Sequence, residues 1–280
     1  MNSNASPRST LVLLCLLLVV CFPSRLVAAS AKLLVKNARI FTMAPQQRDP
    51  FTGYLVVAVD GTILAVSAGD PPASVTADQV FDAHGEWIIP GFISAHSHLW
   101  QAAYRGIAAN KTLISWIDDL YFKRAAKANP EDLYWFCLLG ALDHLQNGIT
   151  TAYNFNYARI YWQGGDDNAF DEAQFRAEEK SGIRFIHGYE PGMMRPGIRV
   201  DQASKRLKAF LDWTAAQQPS SHFLSVMING GTAFNNNYQQ SVMEKALMDE
   251  FSLANQSHYL EPPEPLTQGE ERAESAADNI

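Results

Sequence analysis

The amino-acid sequence predicts an α/β fold in which a small β module precedes about five of the eight units of a (β/α)₈ TIM-like barrel. Two observations predict it. Short alternating runs of apolar and polar residues fill residues 31–86 and are typical of paired strands. Over residues 87–264, apolar strand-like runs alternate with helical segments, and such strands pair in parallel through right-handed crossovers. With 280 residues and 47% hydrophobic content, the chain can bury cores of this size.

The N-terminus has the layout of a secretory signal peptide. Arg8 precedes an apolar run over residues 11–22, Pro23 breaks the run, and Val27, Ala28 and Ala29 offer a small-residue cleavage site. We therefore expect residues 1–29 to be a signal and the mature protein to be secreted, with an uncleaved anchor as the alternative. No other stretch is apolar enough to span a bilayer, and a net charge of −7 argues against nucleic acid as a partner.

The β module shows its clearest turn at Asp60-Gly61, which lies between two runs rich in valine and isoleucine. This dipeptide favours a tight hairpin turn because its residues tolerate positive φ. The sequence predicts a small all-β module over residues 31–86.

The barrel region shows its clearest helix start at Asn129-Pro130, where a capping residue precedes a proline at the first helical position. This helix is expected to end at Asn147-Gly148, ahead of a strand that begins at Ile149. Further helices are predicted over residues 171–180, 201–216 and 240–254, each followed by a short apolar run. From residue 265 to 280 no apolar period remains, and we expect a disordered tail.

Two histidines, His96 and His98, end the first strand of the barrel region, after a turn at Pro90-Gly91. Residues at i and i+2 of a strand share a face, so both imidazoles can reach one metal ion. Barrel enzymes place their sites at this end of their strands, and neutral imidazole suits zinc or iron. A pair of surface histidines without a ligand is the alternative interpretation.

The segment PGFISAHSH, residues 90–98, resembles the N-terminal metal motif of the amidohydrolase superfamily, the metal-dependent (β/α)₈ hydrolases. LWQAAYRG, residues 99–106, and LISWI, residues 113–117, are similar to the branch that contains cytosine deaminase, S-adenosylhomocysteine deaminase and the triazine hydrolases. The β module with Asp60-Gly61 is also similar to the N-terminal half-sandwich of that family, so the resemblance implies a small β-sandwich module and covers about residues 32–264. It implies hydrolysis of a carbon–nitrogen bond other than a peptide bond, in a small molecule, by metal-activated water.

The resemblance also implies roles for residues near both ends of the barrel region. In HYLE, residues 258–261, it makes His258 the third metal ligand and Glu261 the acid that shuttles protons. Gln101, Tyr104 and Arg105 follow the metal motif and are candidates for contact with substrate. Arg105 could instead form a structural ion pair.

The resemblance further implies one divalent ion, zinc or alternatively iron. Binuclear members carry a bridging lysine after the fourth strand, and residues 227–230 (MING) offer none. The family pattern also calls for a histidine after strand six and an aspartate after strand eight, which residues 265–280 do not supply. The alternative expectation is therefore a catalytically inactive truncated fragment, a pseudoenzyme or a metal-binding secreted protein.

Two other reactive residues carry open interpretations. His187 ends the third predicted strand and either lines the pocket or has a structural role. Cys137 is the one cysteine outside the predicted signal and lies in an apolar helical run, so we expect an inert core residue.

Overall fold

The computed structural model describes residues 31–156, 168–191, 199–231 and 238–258. The predicted signal, the predicted tail and Glu261 lie outside these residues. The chain divides into two compact units, one ending at Pro90 and one starting at Gly91. None of the described helices combines the length and the apolar character needed to cross a membrane.

The first unit is a five-stranded mixed sheet. Its strands are β1 (Ala31–Ile40), β2 (Phe51–Ala58), β3 (Ile63–Ala68), β4 (Ala77–Asp82) and β5 (Trp87–Ile88). The order is β3-β2-β1-β4, and β5 also pairs with β1. β2 runs antiparallel to β1 and β3, whereas β4 and β5 run parallel to β1.

The predicted hairpin at Asp60-Gly61 is confirmed. Asp60 Oδ1 accepts a hydrogen bond from the backbone N–H of Thr62 at 2.9 Å, and Gly61 has a φ of 86°. One part of this unit differs from the sequence prediction, because Trp87 and Ile88 pair with β1 rather than joining the barrel region.

The second unit contains a parallel sheet of five strands in the order β10-β9-β8-β7-β6. The strands are β6 (Phe92–Ser97), β7 (Ile149–Phe155), β8 (Arg184–Tyr189), β9 (Phe223–Gly230) and β10 (Asn255–Ser257). A 3₁₀ helix (Leu99–Tyr104) follows β6, and the α-helices are α1 (Leu113–Ile117), α2 (Pro130–Gln146), α3 (Ala169–Ser181), α4 (Val200–Ala216) and α5 (Tyr238–Phe251).

Helix α2 begins and ends as its sequence predicts. The side chain of Asn129 accepts a hydrogen bond from the backbone N–H of Asp132, and the Asp132 carboxylate accepts one from the backbone N–H of Asn129. This reciprocal cap satisfies two amide groups that have no partner within the helix. The helix stops at Gln146, and Gly148 follows with a φ of 79°.

The parallel sheet separates two apolar clusters, because alternate side chains of a strand point to opposite faces. On β7, Ala152 belongs to the cluster that packs under α3, α4 and α5. Tyr153 and Phe155 belong to the cluster on the other face. We call these the helix face and the inner face of the sheet.

Strand β6 departs from the buried strand that its apolar sequence predicts. Phe92 is 56% exposed and Ile93 is 73% exposed. The reason is topological, since β6 lies at an edge of the sheet and pairs only with β7 among the described strands. An apolar run indicates a strand but does not indicate whether that strand is central.

Candidate metal centre

Three histidines converge at the carboxyl ends of the two edge strands. His96 lies in β6, His98 directly follows it, and His258 directly follows β10. Because β6 and β10 are opposite edges of the sheet, these side chains meet only if the sheet curls. The imidazoles do meet, and one ligand nitrogen from each ring lies within 4.8 Å of the other two.

The spacing of the nitrogens fits a tetrahedral metal ion. The Nε2 atoms of His96 and His98 are 3.1 Å apart, and those of His98 and His258 are 3.3 Å apart. Zinc binds imidazole nitrogen at about 2.0–2.1 Å, which places two ligands of a tetrahedron about 3.3–3.4 Å from each other. The three donors therefore have the chemistry and the separation that a single ion requires.

Gln256 fixes the orientation of the His96 ring. Its Nε2 donates a hydrogen bond to the carbonyl oxygen of Ala95 at 2.8 Å, so its Oε1 faces Nδ1 of His96 at 2.9 Å. An amide oxygen only accepts, so Nδ1 of His96 carries the proton and Nε2 presents its lone pair to the centre. Metal-binding histidines commonly have such a partner on the second nitrogen.

The environment keeps two of the imidazoles neutral. Burial, together with the positive charge that His96 and His258 would carry, lowers the pKa of His98 from 6.5 to about 3, and a hydrogen bond to the backbone of Phe155 opposes this only partly. Burial and the neighbouring His96 lower the pKa of His258 to about 4. Neutral imidazole is the form that binds a metal ion.

Phe155 forms an apolar floor beneath the three rings. It is fully buried, and its ring centre lies 5.0 Å from that of His96, 5.3 Å from His98 and 4.5 Å from His258. An apolar lining reduces access of water from that side and strengthens electrostatic interactions within the site.

The predicted substrate residues lie together, beside a cavity of about 300 Å³. Gln101 donates a hydrogen bond from Nε2 to the hydroxyl of Tyr121 at 2.8 Å, and Arg105 forms an ion pair with Asp143 at 2.8 Å. The ion pair that was the alternative for Arg105 is thus present, although its guanidinium remains largely exposed. Besides Gln101, Tyr104 and Arg105, the lining includes Trp116 and Leu120.

His187 lies away from the three histidines, on the helix face of the sheet. Its Nδ1 lies 2.8 Å from Oε2 of Glu178, and Asp171 is 3.8 Å from its Nε2. Burial alone lowers the pKa of His187, but the charges of Glu178 and Asp171 and the hydrogen bond to Glu178 outweigh it and raise that pKa to about 9. The structural interpretation of His187 is therefore the one that this geometry supports.

Two features of the centre were missed in the sequence. Gln256 precedes His258 by two residues, so strand alternation places it on the same face and could have identified it. Phe155 carries no chemical signal of its own.

Asn229 lies near the end of β9, in the segment where binuclear members would carry the bridging lysine. Its amide donates to the carbonyl oxygens of Asn156 and Gly188.

A known protein family matches more than half of the length of this chain. The sequence pattern of the "Amidohydrolase family" matches residues 87–249. The 5'-deoxyadenosine deaminase of Methanosarcina barkeri is 31% identical over 160 residues, which are 56% of this chain and 33% of that protein. The 5-methylthioadenosine/S-adenosylhomocysteine deaminase of Syntrophomonas wolfei is 30% identical over 172 residues, 61% of this chain and 36% of that protein. The chain thus spans about a third of these relatives.

Solved structures share the fold. A guanine deaminase from C. acetobutylicum, with guanine bound in its active site, superposes with a TM-score of 0.66 at 20% identity, covering 90% of this chain and 57% of that one. An adenosine deaminase from Xanthomonas campestris with bound zinc has a TM-score of 0.59 at 18% identity, covering 82% and 49%.

Proposed function

This chain belongs to the amidohydrolase family, and from that premise we propose that it hydrolyses a carbon–nitrogen bond other than a peptide bond in a small molecule. His96, His98 and His258 would hold one divalent metal ion, and Glu261 would transfer protons. The observation that carries the proposal is the meeting of three Nε2 atoms, from opposite edges of one sheet, at 3.1 and 3.3 Å.

A divalent ion, when bound, lowers the pKa of a coordinated water towards neutrality. The residues of the chain would supply the rest of the chemistry. The carboxylate of Glu261 would take the proton that the water loses and deliver it to the leaving nitrogen, which departs as an amine or ammonia. Gln256 would keep the His96 lone pair directed at the centre, and Phe155 would limit water below it.

The substrate class we propose is an aminated heterocycle, such as a purine or a purine nucleoside. The named relatives include deaminases of 5'-deoxyadenosine and of 5-methylthioadenosine/S-adenosylhomocysteine. The cavity beside Gln101, Tyr104 and Arg105 offers aromatic surface and hydrogen-bond donors, which suit a flat polar ring.

Zinc is the ion we propose, in a single site. Three imidazole ligands are typical of catalytic zinc, and the last residues of β9, Asn229 and Gly230, do not include the lysine that bridges two metals in binuclear members. We also propose that the five parallel strands belong to a (β/α)₈ barrel, that the N-terminal sheet is part of a sandwich-type module, and that the protein is secreted.

The test is metal content and turnover measured on the same purified chain. We expect about one zinc ion per chain, and ammonia release from at least one of 5'-deoxyadenosine, 5-methylthioadenosine, S-adenosylhomocysteine and guanine. Zinc binding without release of ammonia or amine from these compounds would support the alternative, a metal-binding protein that does not catalyse. Absence of zinc binding would overturn the proposal.

The control variant is Glu261→Gln, which keeps the shape of the side chain but cannot carry the proton. We expect unchanged zinc content and a turnover lower by about 10²–10⁴-fold, the usual contribution of a general acid–base group. A variant with parental turnover would remove Glu261 from the mechanism.

A further inference from the structure

His98 lies between two residues that are each hydrogen-bonded to a different neighbouring element. The hydroxyl oxygen of Ser97 lies 2.9 Å from Nε2 of His144 in α2. The backbone N–H of Leu99 donates to Oδ1 of Asn154 in β7 at 3.2 Å. The backbone on both sides of this candidate ligand is therefore anchored.

On the α2 side, the carbonyl oxygen of Gly140 selects the tautomer of His144. Nδ1 of His144 lies 2.9 Å from that oxygen, which can only accept, so Nδ1 carries the proton. In the neutral imidazole, Nε2 of His144 then accepts from the hydroxyl of Ser97. A Cβ atom at Gly140 would lie 2.1 Å from the carbonyl oxygen of Leu99, so a glycine is needed for α2 to pack this closely.

On the β7 side, a buried chain of hydrogen bonds backs Asn154. Its Nδ2 donates to Oε1 of Glu178 at 2.6 Å, and Oε2 of Glu178 accepts from Nδ1 of His187 at 2.8 Å. Asn154, Glu178 and His187 are all fully buried. A flipped Asn154 amide would turn its oxygen towards the Glu178 carboxylate and its N–H₂ towards the N–H of Leu99, so Glu178 selects the orientation that holds Leu99.

We propose that these contacts form a two-sided clamp that sets the direction of the His98 imidazole. His144 acts through Ser97, and Asn154, backed by Glu178 and His187, acts through Leu99. All four are positioning residues that act through the backbone next to His98. This inference rests on the proposed function in so far as it concerns metal binding, whereas the anchoring of Leu99 can be tested without a metal.

The first test is amide hydrogen exchange of the metal-free chain, with the Leu99 amide compared with that of Phe185. Phe185 N–H donates to the carbonyl oxygen of His222 at 2.9 Å and reports on the pairing of β8 with the residue that precedes β9. In Glu178→Leu we expect exchange at Leu99 to rise about tenfold relative to Phe185, because Asn154 loses its acceptor. In Glu178→Gln, whose amide oxygen still accepts from Asn154, most of the protection should return.

The matched control is Tyr189→Phe. Its hydroxyl donates to Oδ1 of Asn168 at 2.9 Å, so the variant loses one buried hydrogen bond on the helix face without touching Asn154. The ratio of exchange at Leu99 to exchange at Phe185 should stay parental in this variant. An equal rise at both amides in Glu178→Leu would mean general destabilisation and would overturn the clamp.

The second test uses Ser97→Ala. This is a small change, and its result can be read even if Glu178→Leu does not fold. We expect about tenfold weaker zinc binding in competition with a chelator, and an altered visible spectrum of the Co²⁺ form, since misdirected ligands change affinity and geometry. Parental affinity and spectrum in this variant would overturn the α2 side. If the parent chain binds neither ion, the proposed function fails, and the exchange ratio at Leu99 in Glu178→Leu, compared with that in Glu178→Gln, still decides the Asn154 side of the clamp.

Discussion

The two faces of the parallel sheet hold histidines in opposite states. On the inner face, His96, His98 and His258 surround one point, and the pKa values of His98 and His258 fall to about 3 and about 4. On the helix face, His187 lies against Glu178 and its pKa rises to about 9. At neutral pH His98 and His258 are therefore neutral and present lone pairs, whereas His187 is a cation.

The difference teaches that burial alone does not determine what a histidine does. Burial lowers the pKa on both faces, and the neighbours then decide the outcome. Other imidazoles deepen the fall and leave a candidate metal site. Carboxylates reverse it and give a buried ion pair. Four variants or conditions test this comparison.

The largest effect should follow His98→Ala, because this variant removes the central donor, whose Nε2 is close to both others. Loss of a residue that hydrogen-bonds to a metal ligand typically weakens metal binding by about 10–100-fold. Loss of a ligand itself should therefore weaken zinc binding by more than about 100-fold. Chelator competition measures this. His84→Ala, which changes a largely exposed histidine, is the control, and an equal loss in both variants would mean that the site is elsewhere.

The next effect concerns stability. His187→Leu leaves the carboxylates of Glu178 and Asp171 buried without their cation. We expect the free energy of unfolding, measured in urea, to fall by about 3–5 kcal/mol, as when one partner of a buried ion pair is removed. His222→Ala, at the amino end of β9, should change it by much less. A loss below about 1 kcal/mol in His187→Leu would indicate that the pair is not ionised.

The third effect is the pH dependence of that stability. A histidine whose folded pKa exceeds its unfolded value stabilises the fold below the unfolded pKa of 6.5 and loses this contribution as pH rises through about 9. Glu178 and Asp171 of α3 supply the charge, and Phe175 and Phe210 cover the ring. We expect the free energy of unfolding to fall between pH 6.5 and 9.5, by at most about 3 kcal/mol. His187→Leu should remove most of this slope, and a parental slope in that variant would assign it to other groups.

The smallest effect should follow Gln256→Leu, which frees the His96 ring without removing a donor. We expect zinc binding to weaken by about 10–100-fold. Gln101→Leu is the same substitution at a residue whose amide bonds to Tyr121, and it should bind zinc as the parent does. Equal affinity of Gln256→Leu and the parent would show that the orientation of His96 has another source.

Local signals were enough for part of the fold. The cap at Asn129, the stop at Gly148 and the turn at Gly61 each follow from the conformation that one or two residues prefer, and each is confirmed. The exposure of Ile93 and the pairing of Trp87 with β1 depend on partners distant in sequence, which local patterns do not encode.

The candidate site divides in the same way. Spacing was enough to place His96 and His98 on one face, because strand geometry is local. The sequence alone left His187 open between pocket and structure, because its state depends on Glu178 of α3. The ligand and proton-transfer roles of His258 and Glu261 came from resemblance and stay predictions.

The separation of the donors along the chain has a thermodynamic consequence. His98 and His258 are 160 residues apart, yet their nitrogens face each other at 3.3 Å. An ion bound by both residues would act as a reversible cross-link, and it would close the loop of 160 residues between them. Its contribution to folding would follow mass action, about 2.7 kcal/mol at a free ion concentration of 100 times Kd. The persistence of this fold would then vary with the zinc supply of its surroundings.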